Sequence, residues 1–281
     1  MTFYINEKKL ITSILFLCMS SFAAFSQNVE INGEVHDENG VAISWVNIGL
    51  RNKNIGITTT ENGSFQISIP HEFKADSILF SRVGYEELVV PVNNLIRANN
   101  KIPLKAKTIT LNEVVVSLEK PKKITLGTKG FTPLMWMGIS TRKGTYFEHA
   151  KIIKIKKSSR LLNANVRVGG NKRSTDSVTY RFNIYKIKEG LPAERLLEKN
   201  IIKTFPRSAD LLTFSLIDEN IYLDQDCAVS FEYIPKEAKG NPPLSFRANV
   251  AANDAFVRNV SVGSWKPMKN GSSCIFVEVE Q

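Results

Sequence analysis

Short apolar runs separated by glycine-containing turns fill the chain from Gly33 to Tyr85 and constrain its fold more than any other feature. Apolar and polar residues alternate within each run, which is the pattern of a strand with one buried face. Asn62 and Gly63 lie between two of the runs, and this pair predicts a tight hairpin. The runs of the first half are 29–35, 46–50, 57–60, 65–69, 78–80, 88–92, 102–104 and 111–116. Short strands with a turn after each predict a β-sandwich.

The second half returns to this pattern after a break at Pro121, with almost no helical periodicity. Its runs predict a second β-sandwich, jelly-roll-like in its number of strands. They are 150–155, 161–168, 178–186, 201–205, 211–216, 227–233, 244–250, 256–262 and 274–279. The protein is therefore predicted to be all-β, with sandwich domains at 27–117 and 146–281. Residues 118–145 are predicted to be a linker whose apolar part, 131–139, packs on the second sandwich.

The first 26 residues predict export. Lys8 and Lys9 precede an apolar run over 10–25 that is too short to span a bilayer, and Ala24 and Ser26 supply a small-residue cleavage site. We expect a signal peptide over 1–26, rather than an uncleaved anchor or a lipid anchor at Cys18. The mature chain is expected to begin near Gln27 and to lack a transmembrane segment. Its predicted location is periplasmic, outer-membrane-associated or extracellular.

The chain is basic, with 37 Lys and Arg against 27 Asp and Glu and a formal net charge of +10. A basic exported protein is attracted to acidic polymers and surfaces. The sequence has neither a basic recognition helix nor an aromatic-rich RNA-binding signature, so nucleic acid is not an expected partner. We expect an envelope protein or a polysaccharide instead.

A ladder of short motifs between Gly33 and Val116 resembles the carboxypeptidase-regulatory-like domain, a transthyretin-like sandwich. The motifs are Gly33-x-Val35, Asp37-x-x-Gly40, Val46-Asn47-Ile48, Thr60-x-x-Gly63-x-Phe65, Phe80-Ser81-x-x-Gly84-Tyr85 and Leu111-Asn112-Glu113-Val114-Val115-Val116. In bacteria related to Bacteroides and Flavobacterium, this domain often precedes the plug of TonB-dependent outer-membrane transporters. The resemblance implies a structural or interaction module that brings no catalytic residues.

Neither of the family's best-known companions is expected here. The residues after Val116 are too few for a plug and a barrel. His36, His71 and His149 lack a Glu at the spacing of a zinc carboxypeptidase. The segment 181–186, with Gly190 and Pro192 after it, resembles a C-terminal β-domain of exported proteins from the same bacteria, for which no activity is implied.

The acidic candidates each have a plain structural interpretation. Residues 37–40 could form a calcium loop, but the full ligand set is missing and a turn is expected. Asp224 with Asp226, or Glu278 with Glu280, could be paired carboxylates of a glycoside hydrolase, because the members of each pair are two apart on a predicted strand. Solvated side chains are the simpler interpretation. Serines and histidines are too scattered to predict a nucleophile with its base.

The other candidates are basic, aromatic or sulfur-containing. A basic run is expected to be a solvated sheet face, and the tryptophans are expected to pack in cores rather than to stack on sugars. Cys227 and Cys274 face opposite sides of their strands, which argues against a disulfide. The basic run consists of Lys151, Lys154, Lys156, Lys157 and Arg160, and the tryptophans are Trp45, Trp136 and Trp265.

No catalytic, cofactor-binding or metal-binding residue is predicted, and no cofactor. The expected function is a non-catalytic binding or scaffolding protein of the cell envelope that recognises a glycan or a protein. The alternatives are an envelope or glycan-degrading hydrolase with its site in the second domain, and an accessory to a TonB-dependent transporter.

Overall fold

A computed structural model describes residues 28–95, 99–107, 121–137, 147–235, 243–250 and 253–281. Strands dominate these ranges, and the helical elements in them are short 3-10 helices at His71–Phe73, Val92–Leu95 and Ile217–Glu219. The prediction of an all-β protein with β-sandwiches is confirmed. None of the described helices has the length and apolar character needed to cross a membrane. The predicted signal peptide and the predicted strand at 111–116 lie outside the described residues.

Two sheets form the first sandwich. Its strands are β1 Val29–His36, β2 Asn47–Leu50, β3 Gly56–Thr58, β4 Ser64–Ile69, β5 Ser77–Ser81, β6 Leu88–Pro91 and β7 Asn100–Pro103. In one sheet β1 pairs antiparallel with β4 and parallel with β7. The other sheet has the order β3-β2-β5-β6. Inward-facing side chains such as Ile31, Val35, Ile48 and Phe80 form the core between the sheets.

The turn at Asn62 and Gly63 connects the two sheets instead of closing a hairpin. β3 pairs with β2, whereas β4 pairs with β1. Gly63 has φ 80°, and a Cβ atom there would lie 2.7 Å from the carbonyl oxygen of Val35, so the turn does require glycine. The hairpin prediction is wrong because alternation identifies strands without saying which ones pair.

The second sandwich contains the longer strands of the chain. They are β8 Lys123–Gly127, β9 Trp136–Met137, β10 Phe147–Ile153, β11 Ser159–Arg167, β12 Ser177–Lys188, β13 Leu191–Arg195, β14 Ile201–Pro206, β15 Leu211–Ser215, β16 Tyr222–Leu223, β17 Cys227–Ile234, β18 Phe246–Asn249, β19 Ala255–Arg258, β20 Lys266–Pro267, β21 Ser272–Ser273 and β22 Ile275–Glu280. The larger sheet has the order β13-β12-β17-β10-β19-β20, with β14 also on β12. The facing sheet is β15-β11-β22-β8, and β21-β18-β9 form a small third sheet.

An aromatic cluster fills the core between the two main sheets. The rings of Phe182, Phe214 and Phe231 lie 5.7 to 6.0 Å apart, and all three are buried. Each fully buried side chain of this size stabilises the fold by about 1.5–3 kcal/mol. Cys227 faces this core, whereas Cys274 lies on the opposite face of its strand and its thiol donates to the carbonyl of Gly130. Both cysteines are free, in agreement with the facing argument.

The segment predicted to be a linker contributes two strands. β8 pairs antiparallel with β22, and Ile124 and Leu126 of β8 pack against the core. β9 pairs with β18. β8 and β9 thus lie inside the range predicted to be a linker, where Pro121 and the lysines beside it interrupt the alternating pattern. The outer boundaries of the two domains stay predictions.

The two sandwiches contact each other through β2, β3 and the loop after β19. The amide of Asn52 donates to the carbonyl of Val262 at 3.4 Å, and the hydroxyl of Ser264 donates to the carbonyl of Asn52 at 3.1 Å. Gly49 permits this close approach, because a Cβ atom there would lie 2.6 Å from Cγ2 of Val262. These contacts hold the loop after β19 against the first sandwich.

Candidate functional site

Strand register in the larger sheet aligns a row of charged side chains. Arg181 of β12 lies opposite Glu232 of β17, Glu232 lies opposite Glu148 of β10, and Glu148 lies opposite Arg258 of β19. Neighbouring strands place directly opposed side chains on one face of a sheet. We call these four residues the charged row. It lies on the face of the larger sheet that points away from the aromatic core.

Salt bridges and hydrogen bonds hold the two carboxylates of the charged row. Arg258 binds Glu148 Oε2 through Nη2 at 2.6 Å and Nε at 2.7 Å. Arg181 Nη1 lies 3.3 Å from Glu232 Oε2, and Arg195 Nη2 lies 3.8 Å from the same oxygen.

Hydrogen bonds complete the coordination of Glu148. Its Oε1 atom accepts hydrogen bonds from Asn183 and Tyr185, both at 2.9 Å, and from Ser230. Two acidic side chains thus face each other in the second domain, but three guanidinium groups neutralise them.

The first sandwich closes over the charged row. Arg181 Nη1 donates to Asn47 Oδ1 at 2.9 Å, and its Nη2 donates to the carbonyl of Trp45 at 2.7 Å. Trp45 has φ 60°, which turns this carbonyl toward the second sandwich. Arg181, Glu232 and Glu148 are consequently buried. Through these two hydrogen bonds of Arg181, the charged row joins the two halves of the protein.

The protonation states agree with a structural role. Burial acts to raise the pKa of Glu148, but the charge of Arg258 and the hydrogen bond from Ser230 outweigh it, and the pKa is lowered. Burial raises the pKa of Tyr185 to about 12, against the opposing charges of Arg195 and Arg258. A general acid needs a pKa near the working pH. Neither group meets that condition.

Two serine hydroxyls lie beside bases inside the second sandwich. Ser273 Oγ is 2.7 Å from His149 Nδ1, and Lys151 Nζ donates to Ser272 Oγ at 2.7 Å and to Asp254. Burial lowers the pKa of His149 to about 3, so its ring is neutral at physiological pH. The sequence did not show this proximity, because His149 and Lys151 of β10 are far along the chain from the serines of β21. Both serines are fully buried, so a substrate cannot approach them.

An exposed cluster of aromatic and basic side chains lies on the second sandwich, where β9 meets β18. The guanidinium carbon of Arg247 is 3.4 Å from the ring centroid of Trp136 and 4.7 Å from that of Phe131. Arg167 lies 5.8 Å from the Phe131 ring and donates through Nε to the carbonyl of Lys129. We call Lys129, Phe131, Trp136, Arg167 and Arg247 the aromatic–cationic surface. Phe131 and Trp136 are 40% and 41% exposed.

The apolar segment 131–139 was expected to pack away from water, and it does so only in part. The amide of Thr132 donates to the carbonyl of Ala248, and Trp136 lies against Gly169. Leu134, however, is 89% exposed at a turn with φ 60°. Residues 138 and 139 lie outside the described residues. Part of the segment therefore faces solvent as an apolar surface.

The predicted acidic candidates are turn or surface residues. Asp37 Oδ1 accepts hydrogen bonds from the amides of Asn39 and Val41, which makes residues 37–41 a turn. Asp224 and Asp226 lie between β16 and β17 and not on a strand. Asp226 accepts from the amide of Ile155 and from Lys154.

The second acidic pair lies on a strand, as predicted. Glu278 and Glu280 lie on β22, where Asn163 donates to Glu278 and Arg160 pairs with Glu280. Groups of three or more potential metal ligands are absent from the parts of the chain that the structure describes.

The basic run does not form a single solvated face. Lys151 is buried and bonded to Asp254 and Ser272, because β18 and β21 cover that part of β10. Lys154 pairs with Asp226, and Arg160 donates to the carbonyl of Ile217. Lys156 and Lys157 are exposed, as predicted. The prediction is therefore wrong for Lys151.

The three tryptophans differ in burial, and Trp265 packs against a small buried cluster that includes Tyr185. Trp45 and Trp265 are half-buried, Trp45 where the sandwiches meet and Trp265 with its ring 5.5 Å from that of Tyr185. Trp136 is exposed on the aromatic–cationic surface. The core prediction is wrong for Trp136, which lies in a two-residue strand at the surface of the small sheet.

Comparison with known proteins assigns the first sandwich. Residues 31–116 match the family model of the CarboxypepD_reg-like domain. This part of the chain belongs to that domain family, as the motif ladder predicted. The TonB-dependent receptor SusC of Bacteroides thetaiotaomicron is 32% identical over 96 residues, which are 34% of this chain and 9% of the receptor. The chain thus spans less than a tenth of that relative, and the match is consistent with a Bacteroidetes-type domain.

Solved structures give weaker likenesses. One is the cysteine protease and lectin-like domains of Cwp84, a surface layer associated protein of Clostridium difficile, with 7% identity and a TM-score of 0.36 over 48% of this chain and 32% of that one. Another is infectious bursal disease virus Gt strain, with 10% identity and a TM-score of 0.22 over 92% of this chain and 66% of that one. Likenesses at these scores carry no argument about fold or function.

Proposed function

We propose that the protein is a non-catalytic binding or scaffolding component of the cell envelope, and that its second sandwich presents the binding surface. The observation that carries the proposal is the aromatic–cationic surface. Arginine and large aromatic side chains are the residue types that most often dominate binding energy. In this cluster the two aromatic rings are exposed and the two arginines are half-buried, whereas most apolar side chains of the described chain are enclosed in the sandwich cores.

The reactive groups support binding rather than catalysis. The facing acids of the charged row are neutralised by arginines and covered by the first sandwich. The serine–base pairs are enclosed by β18 and β21. A site for substrate needs a concave, accessible surface with its polar groups directed into it. The aromatic–cationic surface is accessible but carries no nucleophile or general base.

The first sandwich supports the envelope location. A domain of its family occurs in SusC, a TonB-dependent receptor. Export through a signal peptide over 1–26 is part of the same proposal, as is a periplasmic, outer-membrane-associated or extracellular location. A second candidate function follows from the same similarity, namely an accessory that docks onto a TonB-dependent receptor. In that case the first sandwich would supply the docking contacts.

The proposal is tested by binding to a washed envelope fraction from a Bacteroides-type bacterium. The mature chain from Gln27 is compared with Trp136→Ala and with Trp265→Ala, an aromatic control away from the surface. We expect only Trp136→Ala to bind at least about tenfold more weakly, as hot-spot truncations do. Equal binding by all three proteins would contradict the assignment of the surface. Binding that survives Trp136→Ala but is lost with residues 27–117 would favour the receptor accessory.

One observation bears on the hydrolase alternative, namely the contact between Lys151 Nζ and Ser272 Oγ. A fluorophosphonate probe for activated serines is not expected to label the folded protein, because Ser272 is buried. Labelling that Ser272→Ala abolishes would overturn the non-catalytic reading.

A further inference from the structure

Arg247 lies close to two aromatic rings. Its guanidinium carbon is over the Trp136 ring and also near the Phe131 ring. Stacking occupies the faces of a guanidinium and leaves its N–H donors in the plane available. Within the described ranges, the side chain of Arg247 has neither a hydrogen bond nor an ion pair. The stacked rings hold these donors in place for an external acceptor.

Two further cations, Arg167 and Lys129, belong to the aromatic–cationic surface beside Arg247. Arg167 binds the backbone carbonyl of Lys129, and the Lys129 ammonium lies 5.8 Å from the Phe276 ring. Neither of these cations, nor Arg247, forms an ion pair with an acidic residue in the part of the chain that is described.

Some other basic residues of the second sandwich do have a carboxylate partner, as Lys172 has Asp210 and Lys186 has Glu194. Glu278, further along β22, is already hydrogen-bonded by Asn163. Three cations without carboxylates complement an anionic ligand.

The apolar groups beside these cations narrow the ligand class. Phe131 exposes apolar surface next to the guanidinium groups of Arg247 and Arg167, and Leu134 exposes more in the same segment. A folded protein partner would need about 1,200–2,000 Å² of buried surface with an apolar centre. A few side chains on an open surface do not provide that, but they suit a chain of repeating units that binds through many small contacts. Uronic acid units combine an anionic group with the apolar face of a sugar ring.

We propose that the aromatic–cationic surface binds an acidic polysaccharide. A uronate carboxylate accepts hydrogen bonds from Arg247, and the ring of the same or the next sugar packs against Phe131. Arg167 and Lys129 attract further carboxylates along the chain. This assignment rests on the proposed function and names the ligand class of its binding surface.

The test compares polygalacturonate with its methyl ester, which keeps the sugar backbone and loses the charge. Titration calorimetry with the mature chain is expected to show binding of the acid form and at least about tenfold weaker binding of the ester, the loss of one charge-assisted contact. Arg247→Gln should weaken binding of the acid form by about the same factor. Lys188→Gln removes an exposed charge from the end of β12 and should change affinity by less than about twofold.

Four results would overturn the inference. Equal affinity for the acid and the ester would exclude a carboxylate-specific site while leaving a glycan-binding function intact. If poly-γ-glutamate or vesicles of anionic lipid bind with the same affinity as polygalacturonate, the surface recognises negative charge alone and not a sugar acid. Binding to the envelope fraction that depends on Trp136 without any binding to polygalacturonate would reject the ligand class and keep the proposed function. Loss of both kinds of binding would reject both proposals, provided that urea unfolding shows the proteins to be folded.

Discussion

The charged row and the aromatic–cationic surface use the same residue type in opposite ways. In the charged row, Arg181 and Arg258 are buried and bonded to carboxylates. On the aromatic–cationic surface, Arg247 is stacked on rings and has no carboxylate partner within the described residues. The first sandwich covers one region and leaves the other open. An arginine that is paired with a carboxylate inside the protein stabilises the fold. An arginine that is held by aromatic rings but has no carboxylate partner is available for a ligand.

The comparison also explains why facing acids do not indicate a hydrolase here. Glu148 and Glu232 lie opposite each other in register, as paired catalytic carboxylates could. Three arginines and the loop at Trp45 neutralise and enclose them. A hydrolase of this type needs one protonated and one ionised carboxyl group with room for substrate between them. The contacts of the charged row satisfy neither condition.

The largest expected effect follows from removing one buried partner. Arg258→Ala leaves Glu148 buried without its bidentate arginine, so we expect a loss of about 3–5 kcal/mol in the free energy of unfolding. Urea unfolding of the mature chain, with Arg173→Ala as an exposed control, measures it. The structural interpretation of the row fails if both variants unfold at the same urea concentration.

The burial of His149 predicts that the free energy of unfolding depends on pH. The pKa of His149 is about 3 in the folded protein and 6.5 as its ordinary value, so the unfolded chain takes up a proton that the folded protein does not. Stability should then fall by about 1.4 kcal/mol for each pH unit below 6.5, down to the folded value.

Above about pH 5 most carboxylates stay ionised, so we expect His149 to dominate the pH dependence in this upper part of the range. Urea unfolding at several pH values should give a flatter profile for His149→Gln than for His71→Gln, an exposed control. Parallel profiles would exclude His149 as the cause. At lower pH the depressed pKa of Glu148 acts in the same direction, because its contribution is lost as the pH falls through the folded value.

A smaller effect is expected where the first sandwich meets the charged row. Asn47→Ala removes an acceptor from Arg181 and leaves a buried donor unmatched, which costs about 1–3 kcal/mol. Asn39→Ala, at an exposed turn of the same sandwich, is the matched control. Differential scanning calorimetry should show a lower melting temperature for Asn47→Ala alone. Unchanged melting of Asn47→Ala would show that the contact contributes little to joining the sandwiches.

The smallest effect on stability is expected at the aromatic–cationic surface. Arg247→Gln removes an exposed cation–π contact, which contributes about 0.5–1 kcal/mol. Its urea unfolding curve should nearly superimpose on that of the wild-type protein. A loss comparable with that of Arg258→Ala would mean that Arg247 is a structural residue.

Much of the fold could be predicted because strand patterning is local. The nine runs of the second half all correspond to strands, since alternation follows from which face each side chain presents. The charged row could not be predicted in the same way. Arg181, Glu148 and Glu232 come from three separate strands, and only register shows that they meet. A polar residue in an alternating run is ordinarily assigned to solvent, which is wrong once a second sandwich covers that face.

The aromatic–cationic surface was missed for the opposite reason. The large apolar residues of 131–137 predicted burial, because exposing them forfeits stabilisation. The turn at Leu134 instead directs that side chain outward, and the stacking partner of Trp136 is Arg247, over a hundred residues away. The available signal was the density of aromatic and apolar residues in a segment too short to form a core of its own.

The most direct measurement places one variant from each region in the same two assays. Asn47→Ala and Arg247→Gln are compared for free energy of unfolding and for affinity toward the envelope fraction, below the melting temperature of both. Asn47→Ala should lose stability and keep its affinity, whereas Arg247→Gln should keep its stability and lose affinity. If Asn47→Ala loses affinity as Arg247→Gln does, or if neither variant does, the division between a structural row and a binding surface is contradicted.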